Sequence, residues 1–566
     1  MRKVKNYILK KIPKKIKYRL KADLGLSGYP SWAKIISNSS LEWDKLVFDV
    51  EKSGSKRILI ATSSGGHRAG NITESAIAAS LIQRGVAVDV LLCDAALPGC
   101  IISEYQYVKN ELDVFFREGP NGVGLCYGCH KQAAKMWSEL GVNVLNYSDY
   151  ISDADRGIYE TLSRELSFSD ILEYRDDNGY FIGEHAKSGA LRFLCKGELQ
   201  EGDYQSEQAL RKYFVSSLVV AHVMKTVLGE RKYEAMVCFH GIYVPHGVIG
   251  EVCRKESVRV VNWNTSYRKR RFIFSHGDTY HKTMISEPEV DWKHFEFTDS
   301  KKQEITDYLV SREKGTGDWQ QFNENPEESI TSSAQLSSLD FSKPIVTLLP
   351  NVVWDAQLHY SSNVFESLIE WALYTVEYFQ KRRDVQLIVR VHPAEIKRHS
   401  PSRQPLEQEI RNRFPVLSSN IFIVPADDKV STYRLAEVSD TTLIYGTKTG
   451  IELTSRSQNV VVCGEAWIKG KGFTTDPVTP EEYEKILDQI PFGRKLSPGQ
   501  TNDALRFAYH FFNRRAIYLD FLKETKDSMA FNLNINDLEE LSQGRNKGLD
   551  AICDGIVNGR KFIVDD

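Results

Sequence analysis

Short aliphatic runs alternate with helix-period segments in two separate series along the chain, a pattern that fits parallel sheets covered by helices on both faces. The first series opens with Arg57–Thr62 (RILIAT), the glycine-rich loop Ser63–Gly70, a helical pattern over Asn71–Arg84 and a second strand over Val86–Cys93. It continues with a helix near Lys131–Leu140, a strand near Val142–Leu145, a polar helix-rich stretch to Glu201 and a long helix over Glu207–Leu228. A strand over Ala235–Phe239, a turn at His240-Gly241, a helix near Val248–Lys255 and a strand over Val258–Asn262 complete it. The second series starts at Pro344 (PIVTLLP) and has further strands over Val385–Val391, Asn420–Val424, Thr441–Tyr445 and Val460–Cys463. Its helices fall near Asn363–Arg382, Leu406–Phe414 and Ser431–Val438, with another from Thr449.

These patterns predict an α/β fold class with two doubly wound, Rossmann-like domains facing a cleft. Residues 52–310 form the first domain with an insertion, and residues 343–500 form the second. The polar residues 311–342 read as a linker, 501–566 as helices packing across both domains, and 1–51 as a basic arm with its connection. No apolar run reaches the roughly 18 residues that a membrane-crossing helix needs.

Lys and Arg total 73 against 75 Asp and Glu, a formal charge of -2. That sum conceals ten basic residues and no acid between Arg2 and Lys21, so an acidic body carries a cationic N-terminus. Val4, Tyr7, Ile8, Leu9, Ile12, Ile16, Tyr18 and Leu20 recur between the cations and approximate an amphipathic helix broken at Pro13. Residues 1–21 therefore read as an anchor on an anionic membrane surface. Nucleic acid is not an expected partner, because the acidic body repels phosphates beyond the arm's reach. An odd count of nine cysteines without a secretory signal points to a reducing cytoplasm, and with the arm to a peripheral place at the inner face of the cell membrane. Four of the cysteines, Cys93, Cys100, Cys126 and Cys129, lie close in sequence. The Cys126–Cys129 pair has zinc-knuckle spacing while six residues separate Cys93 from Cys100, so a structural zinc and a set of reduced core thiols both stay open.

Doubly wound sheets bind ligands at the C-terminal ends of their strands. The Ser63–Gly70 loop has glycines that let backbone N–H groups face an anion, although it is not a dinucleotide fingerprint. In the second series a strand runs into His392-Pro393-Ala394-Glu395, which sets an imidazole at a strand end where it can donate to a phosphate oxygen. A second strand end, Tyr445-Gly446-Thr447-Lys448-Thr449-Gly450-Ile451-Glu452, offers hydroxyls, N–H groups and a lysine to a phosphate, with Glu452 placed to accept ribose hydroxyls. The phosphate-loop pattern of nucleoside triphosphatases is absent.

Pro350-Asn351 with Trp354-Asp355, Arg390–Glu395, Gly446–Glu452, and Gly470–Phe473 with Asp476-Pro477 resemble the C-terminal half of bacterial capsule polysaccharide biosynthesis proteins. These are GT-B glycosyltransferases that include the Kdo transferases; the likeness covers the second series and is loose over the first. It implies that the second domain holds a nucleotide-sugar donor through Asn351, Asp355, His392, Glu395, Thr447, Lys448, Thr449, Gly450 and Glu452.

An inverting transferase needs a general base for the attacking hydroxyl, and the candidates at predicted strand ends and loops are His67, Asp94, His240 and Asp278, with His246, His276 and His281 nearby. Arg268-Lys269-Arg270-Arg271 could meet an anionic acceptor, and Asp153-Ala154-Asp155 has the spacing of a metal-binding DxD but lies in a polar helical stretch that favours a structural role. The expected function is sugar transfer from a nucleotide donor, a CMP-activated acidic sugar such as CMP-Kdo or a UDP-sugar, to a lipid-linked or growing bacterial surface glycan. No metal is required for catalysis in that reading, because cationic groups stabilise the leaving phosphate. A sugar-nucleotide epimerase of the same architecture and a membrane-recruited scaffold with a Cys-bound metal are the alternatives.

Overall fold

The computed structural model describes residues 28–54, 56–318, 326–355, 363–397, 401–493, 495–525 and 531–565. The basic arm at residues 1–21 lies outside them. None of the described helices is long and apolar enough to cross a membrane.

The first domain is built on a seven-stranded sheet in the order β12-β6-β5-β4-β1-β2-β3. Strands β1 (Arg57–Ser63), β2 (Ala87–Leu92), β3 (Asn143–Asn146), β4 (Ala235–Phe239) and β5 (Arg259–Thr265) are parallel. Side chains alternate across the sheet as strand geometry demands. Ile58 and Ile60 pack into one apolar cluster and Leu59 and Ala61 into the other, so both faces of β1 are buried. Helix α1 (Arg68–Gln83) covers one face; α3 (Ile182–Leu194), α4 (Tyr204–Glu230) and α5 (His246–Lys255) pack on the other. Helix α2 (Leu125–Glu139) starts earlier than the sequence predicts and carries Cys126 and Cys129 in its first turns.

Strand β6 (Arg271–His276) runs antiparallel to β5 where the sequence suggests only a basic run and a loop. Its Phe272 and Phe274 face one cluster and Ile273 another, so both faces are buried.

The second domain has five parallel strands in the order β11-β10-β7-β8-β9: β7 (Ile345–Leu349), β8 (Gln386–Arg390), β9 (Ile421–Val424), β10 (Thr441–Ile444) and β11 (Val460–Val462). Here too Leu387 and Val389 enter one cluster and Ile388 another. Two Rossmann-like α/β domains thus face a cleft, an arrangement of the GT-B type.

The polar connection is not a free spacer. Helix α6 (Asp299–Glu313) runs into it, and Leu336 and Leu339 are buried against Phe422 and Val424 of the second sheet. After helix α7 (Pro498–Tyr509) the chain returns to the first domain, where β12 (Ile517–Tyr518) pairs with β6.

Candidate active site

A pocket opens where β7, β8 and β10 end, lined by Arg390, His392, Thr447, Lys448 and Thr449 together with Arg312 from α6. The Ala394 N–H donates to Nδ1 of His392 at 3.1 Å, which places the imidazole proton on Nε2. Nε2–H is therefore a donor suited to a phosphate oxygen. Lys448 stands 4.7 Å over the Tyr267 ring, and burial, with Arg312 beside it, lowers its pKa to about 8. The Thr447 hydroxyl lies 3.3 Å from that of Thr449 and orders the loop.

Beneath this loop sits a buried charge network that joins Glu452 to residues outside any sequence motif. Arg312 pairs with Asp318 and, at 3.0 Å, with Glu452. Tyr433 donates its hydroxyl to the same carboxylate. Burial alone would raise the pKa of Glu452, but Arg312 and Lys448 outweigh it and hold the group ionised. Glu452 is 1% exposed and fixes cations under the pocket, so the ribose-accepting role expected of it is not the one its surroundings give. Glu395 departs similarly: its buried carboxylate accepts the Leu406 N–H, and burial lifts its pKa to about 7. Gly450 serves close packing, because a Cβ there would meet Ile468 and Ile444 at 2.5 and 2.6 Å. Asn351 accepts the Gly446 N–H at 3.3 Å and ties the end of β7 to the loop after β10.

Across the cleft, the first domain presents several imidazoles. His240 follows β4 with φ +66°, and Gly241 follows with φ +78°. Any Cβ at Gly241 would strike Asn262 and Thr279, which explains the His-Gly turn. The His240 ring lies 4.7 Å from that of Tyr243 and 6.4 Å from that of His281. Burial drives the His240 pKa well below its ordinary value, and His281 adds to the effect. Burial takes His281 and His246 to about 4, so these rings are neutral at pH 7. Tyr243 donates its hydroxyl to Asp355 of the second domain at 3.1 Å, and the Asp355 charge works to raise the pKa of both His240 and His281.

The other base candidates have structural surroundings. His67 stands at the N-terminal end of α1 and stacks on Phe239 at 4.1 Å, with its pKa pushed by burial to about 3. Asp94 accepts the N–H and hydroxyl of Ser148 and braces the ends of β2 and β3. Asp278 accepts the Thr279 N–H at 2.7 Å and pairs with Arg254 and Lys282. In the basic run, Arg268 meets Glu304, Arg270 meets Glu524, and Arg271 donates to the carbonyl of Ala516. These arginines hold the C-terminal segment and α6 rather than forming an open anion face. Asp155 completes a capping box with Ser152.

The glycine-rich loop is filled. A Cβ on Gly65 would lie 2.1 Å from the Cys129 carbonyl, the Gly66 N–H donates to Cys129 Sγ at 2.9 Å, and Tyr29 donates to the Gly65 carbonyl. Its glycines admit α2 instead of an anion. Cys93, Cys100, Cys126 and Cys129 come within electrostatic reach of one another, and burial raises the pKa of each, that of Cys93 to about 12. Among the described residues no group of three or more His, Cys, Asp or Glu side chains is arranged to hold a metal ion.

No protein-family profile matches the chain, and no curated protein sequence matches it. Solved structures similar to it include the beta Kdo 2,4 transferase of KpsC from Thermosulfurimonas dismutans, at 11% identity and a TM-score of 0.32, over 48% of this chain and 79% of that one. The beta Kdo 2,7 transferase of the same KpsC has 11% identity and a TM-score of 0.28, over 60% and 90%. The UDP-GlcNAc 2-epimerase from Neisseria meningitidis, bound to UDP-GlcNAc, has 10% identity and a TM-score of 0.22, over 80% and 95%.

Proposed function

We propose that the protein is a glycosyltransferase that takes a sugar from a nucleotide-sugar donor held in the second domain. The observation that carries this reading is the pocket at the ends of β7, β8 and β10, which Lys448, His392 and the Thr447–Thr449 loop line together. Such groups, fixed before the donor arrives, stabilise the charge that develops on a departing nucleotide phosphate. The motif likeness to capsule polysaccharide transferases supports a CMP-activated acidic sugar or a UDP-sugar as donor and a lipid-linked or growing surface glycan as acceptor. The basic residues 1–21 support a peripheral place on an anionic membrane surface.

The test is incubation with CMP-Kdo, CMP-sialic acid and UDP-sugars, with and without chelator and acceptor, followed by mass analysis of the products. Sugar transferred to the acceptor with release of the nucleotide is the expected result. An epimerised donor with no acceptor consumed would establish the epimerase reading instead, and inertness toward every donor would end both.

A further inference from the structure

We propose that His240 is the general base of this site and that Asp355, reaching in from the opposite domain, is its electrostatic partner; the inference rests on the transferase reading above. The backbone supplies the first observation. A non-glycine residue at φ +66° is uncommon and concentrates at functional sites, and His240 holds this conformation at the C-terminal end of β4, where such sheets bind ligands. The second observation is an unpartnered group: Nδ1 of His240 is sealed from solvent and has no hydrogen-bond partner among the described residues. Nε2 is then the nitrogen that can meet a ligand.

Continuity with the donor pocket is the third observation. Lys448 lies over Tyr267, Tyr267 contacts Trp467, Trp467 lies 5.8 Å from His281, and His281 lies 6.4 Å from His240. The chain of rings leads from the phosphate-facing lysine to the imidazole across the cleft. The charged and titratable groups acting on His240 are Asp355 from the second domain and His281, His246 and Arg192 from the first. Asp355 alone among them favours the imidazolium, and its position is held by Tyr243. By contrast, Asp94 and Asp278 are engaged with local N–H groups and His67 is stacked under Phe239.

In the step assigned to it, Nε2 of neutral His240 takes the proton of the acceptor hydroxyl. The hydroxyl oxygen forms its bond to the anomeric carbon, and the bond from that carbon to the phosphate oxygen breaks with its electron pair leaving on the nucleotide. The proton on the imidazolium passes to solvent after product release.

Two variants suit the backbone at this position: His240→Asn, because asparagine tolerates the left-handed region, and His240→Gly, which is unstrained there. With a donor that the wild type consumes, His240→Asn is expected to lower kcat roughly 10²- to 10⁴-fold, the range of a general base. Its donor Kd, measured by titration calorimetry, should stay within about threefold, and added imidazole should restore part of the His240→Gly rate. Asp355→Asn should move the acidic limb of kcat/KM to lower pH, since the carboxylate it removes is what raises the His240 pKa. A His240→Asn rate within about tenfold of wild type, or an unmoved acidic limb in Asp355→Asn, overturns the inference alone. A wild type that turns over no donor overturns the transferase reading and this inference with it.

Discussion

The hydroxyl of Tyr243, on the first domain, donates to the carboxylate of Asp355, on the second, across 3.1 Å. Tyr243 is 2% exposed and also packs beside His240, so one side chain links the domain contact to the imidazole cluster. A hydrogen bond to a charged group contributes about 1.5–3 kcal/mol, and about 1.4 kcal/mol corresponds to tenfold in rate. Tyr243→Phe is therefore expected to lower kcat at least roughly tenfold while the donor KM changes little. Steady-state kinetics with an accepted donor checks it; an unchanged kcat means that the bond does not orient the site.

Glu452 separates a structural role from a ligand-binding one. Removing one member of a buried ion pair leaves an uncompensated charge and costs about 3–5 kcal/mol. Glu452→Ala leaves Arg312 with Asp318 and the Tyr308 hydroxyl among the described residues, and is expected to destabilise the fold by that order in urea unfolding. Glu452→Gln, which still accepts hydrogen bonds, should lose less. Full stability of Glu452→Ala coupled with lost nucleotide affinity would instead return the residue to the ribose.

The two sheets were legible in the sequence because parallel strands buried on both faces read as aliphatic runs, as in Ile345–Leu349 and Ala235–Phe239. Pocket residues in motifs at strand ends, His392 and Thr447–Thr449, were legible for the same reason. Arg312 and Asp318 were not, since they lie in a polar stretch whose meaning comes only from the partner Glu452, far away in the chain. Glu395 and Glu452 misled because a carboxylate in a loop motif looks available until its burial is known. His240 was visible as one histidine among several; its φ is what sets it apart from His246 and His276, whose Nδ1 atoms are likewise buried without a partner.

Under the transferase reading, Lys448 gives a pH prediction for donor binding. Burial and Arg312 lower its pKa to about 8, so the ammonium is present below that pH and lost above it. A bound phosphate favours the charged form. Affinity for the free nucleotide is thus expected to fall roughly tenfold per unit above pH 8, the slope for one coupled proton. Lys448→Gln should bind more weakly and without this slope. Calorimetric titrations between pH 6 and pH 10 would show it, and parallel profiles for the two proteins would remove Lys448 from the site.

Glu395 gives a stability prediction that needs no substrate. Its folded pKa of about 7 lies above the ordinary 4.5, so the native state binds the proton more tightly than the unfolded chain. Stability from this group is greatest at low pH and is lost as pH rises through 7, by about 3 kcal/mol at the limit. Gln at this position keeps an acceptor for the Leu406 N–H and removes the charge. Glu395→Gln is expected to be more stable than wild type at pH 8 and similar near pH 4, by urea unfolding at both values. Equal stability at pH 8 would mean that the carboxylate is solvated.

The arm at residues 1–21 is testable apart from chemistry, because its ten cations precede a body of net negative charge. Each cation near an anionic surface contributes about 1 kcal/mol, and the attraction falls off within a Debye length, about 10 Å at 0.1 M salt. Deleting residues 1–21 is expected to abolish sedimentation with phosphatidylserine-containing vesicles, while the full chain binds them and is released as salt rises toward 1 M. Neutral phosphatidylcholine vesicles should retain neither protein. Turnover with a soluble acceptor should survive the deletion nearly unchanged, because the pocket and the His240 cluster are built from residues beyond the arm. If the truncated chain still binds anionic vesicles, the body itself carries the membrane contact; if it loses turnover with the soluble acceptor, the arm is part of the catalytic unit.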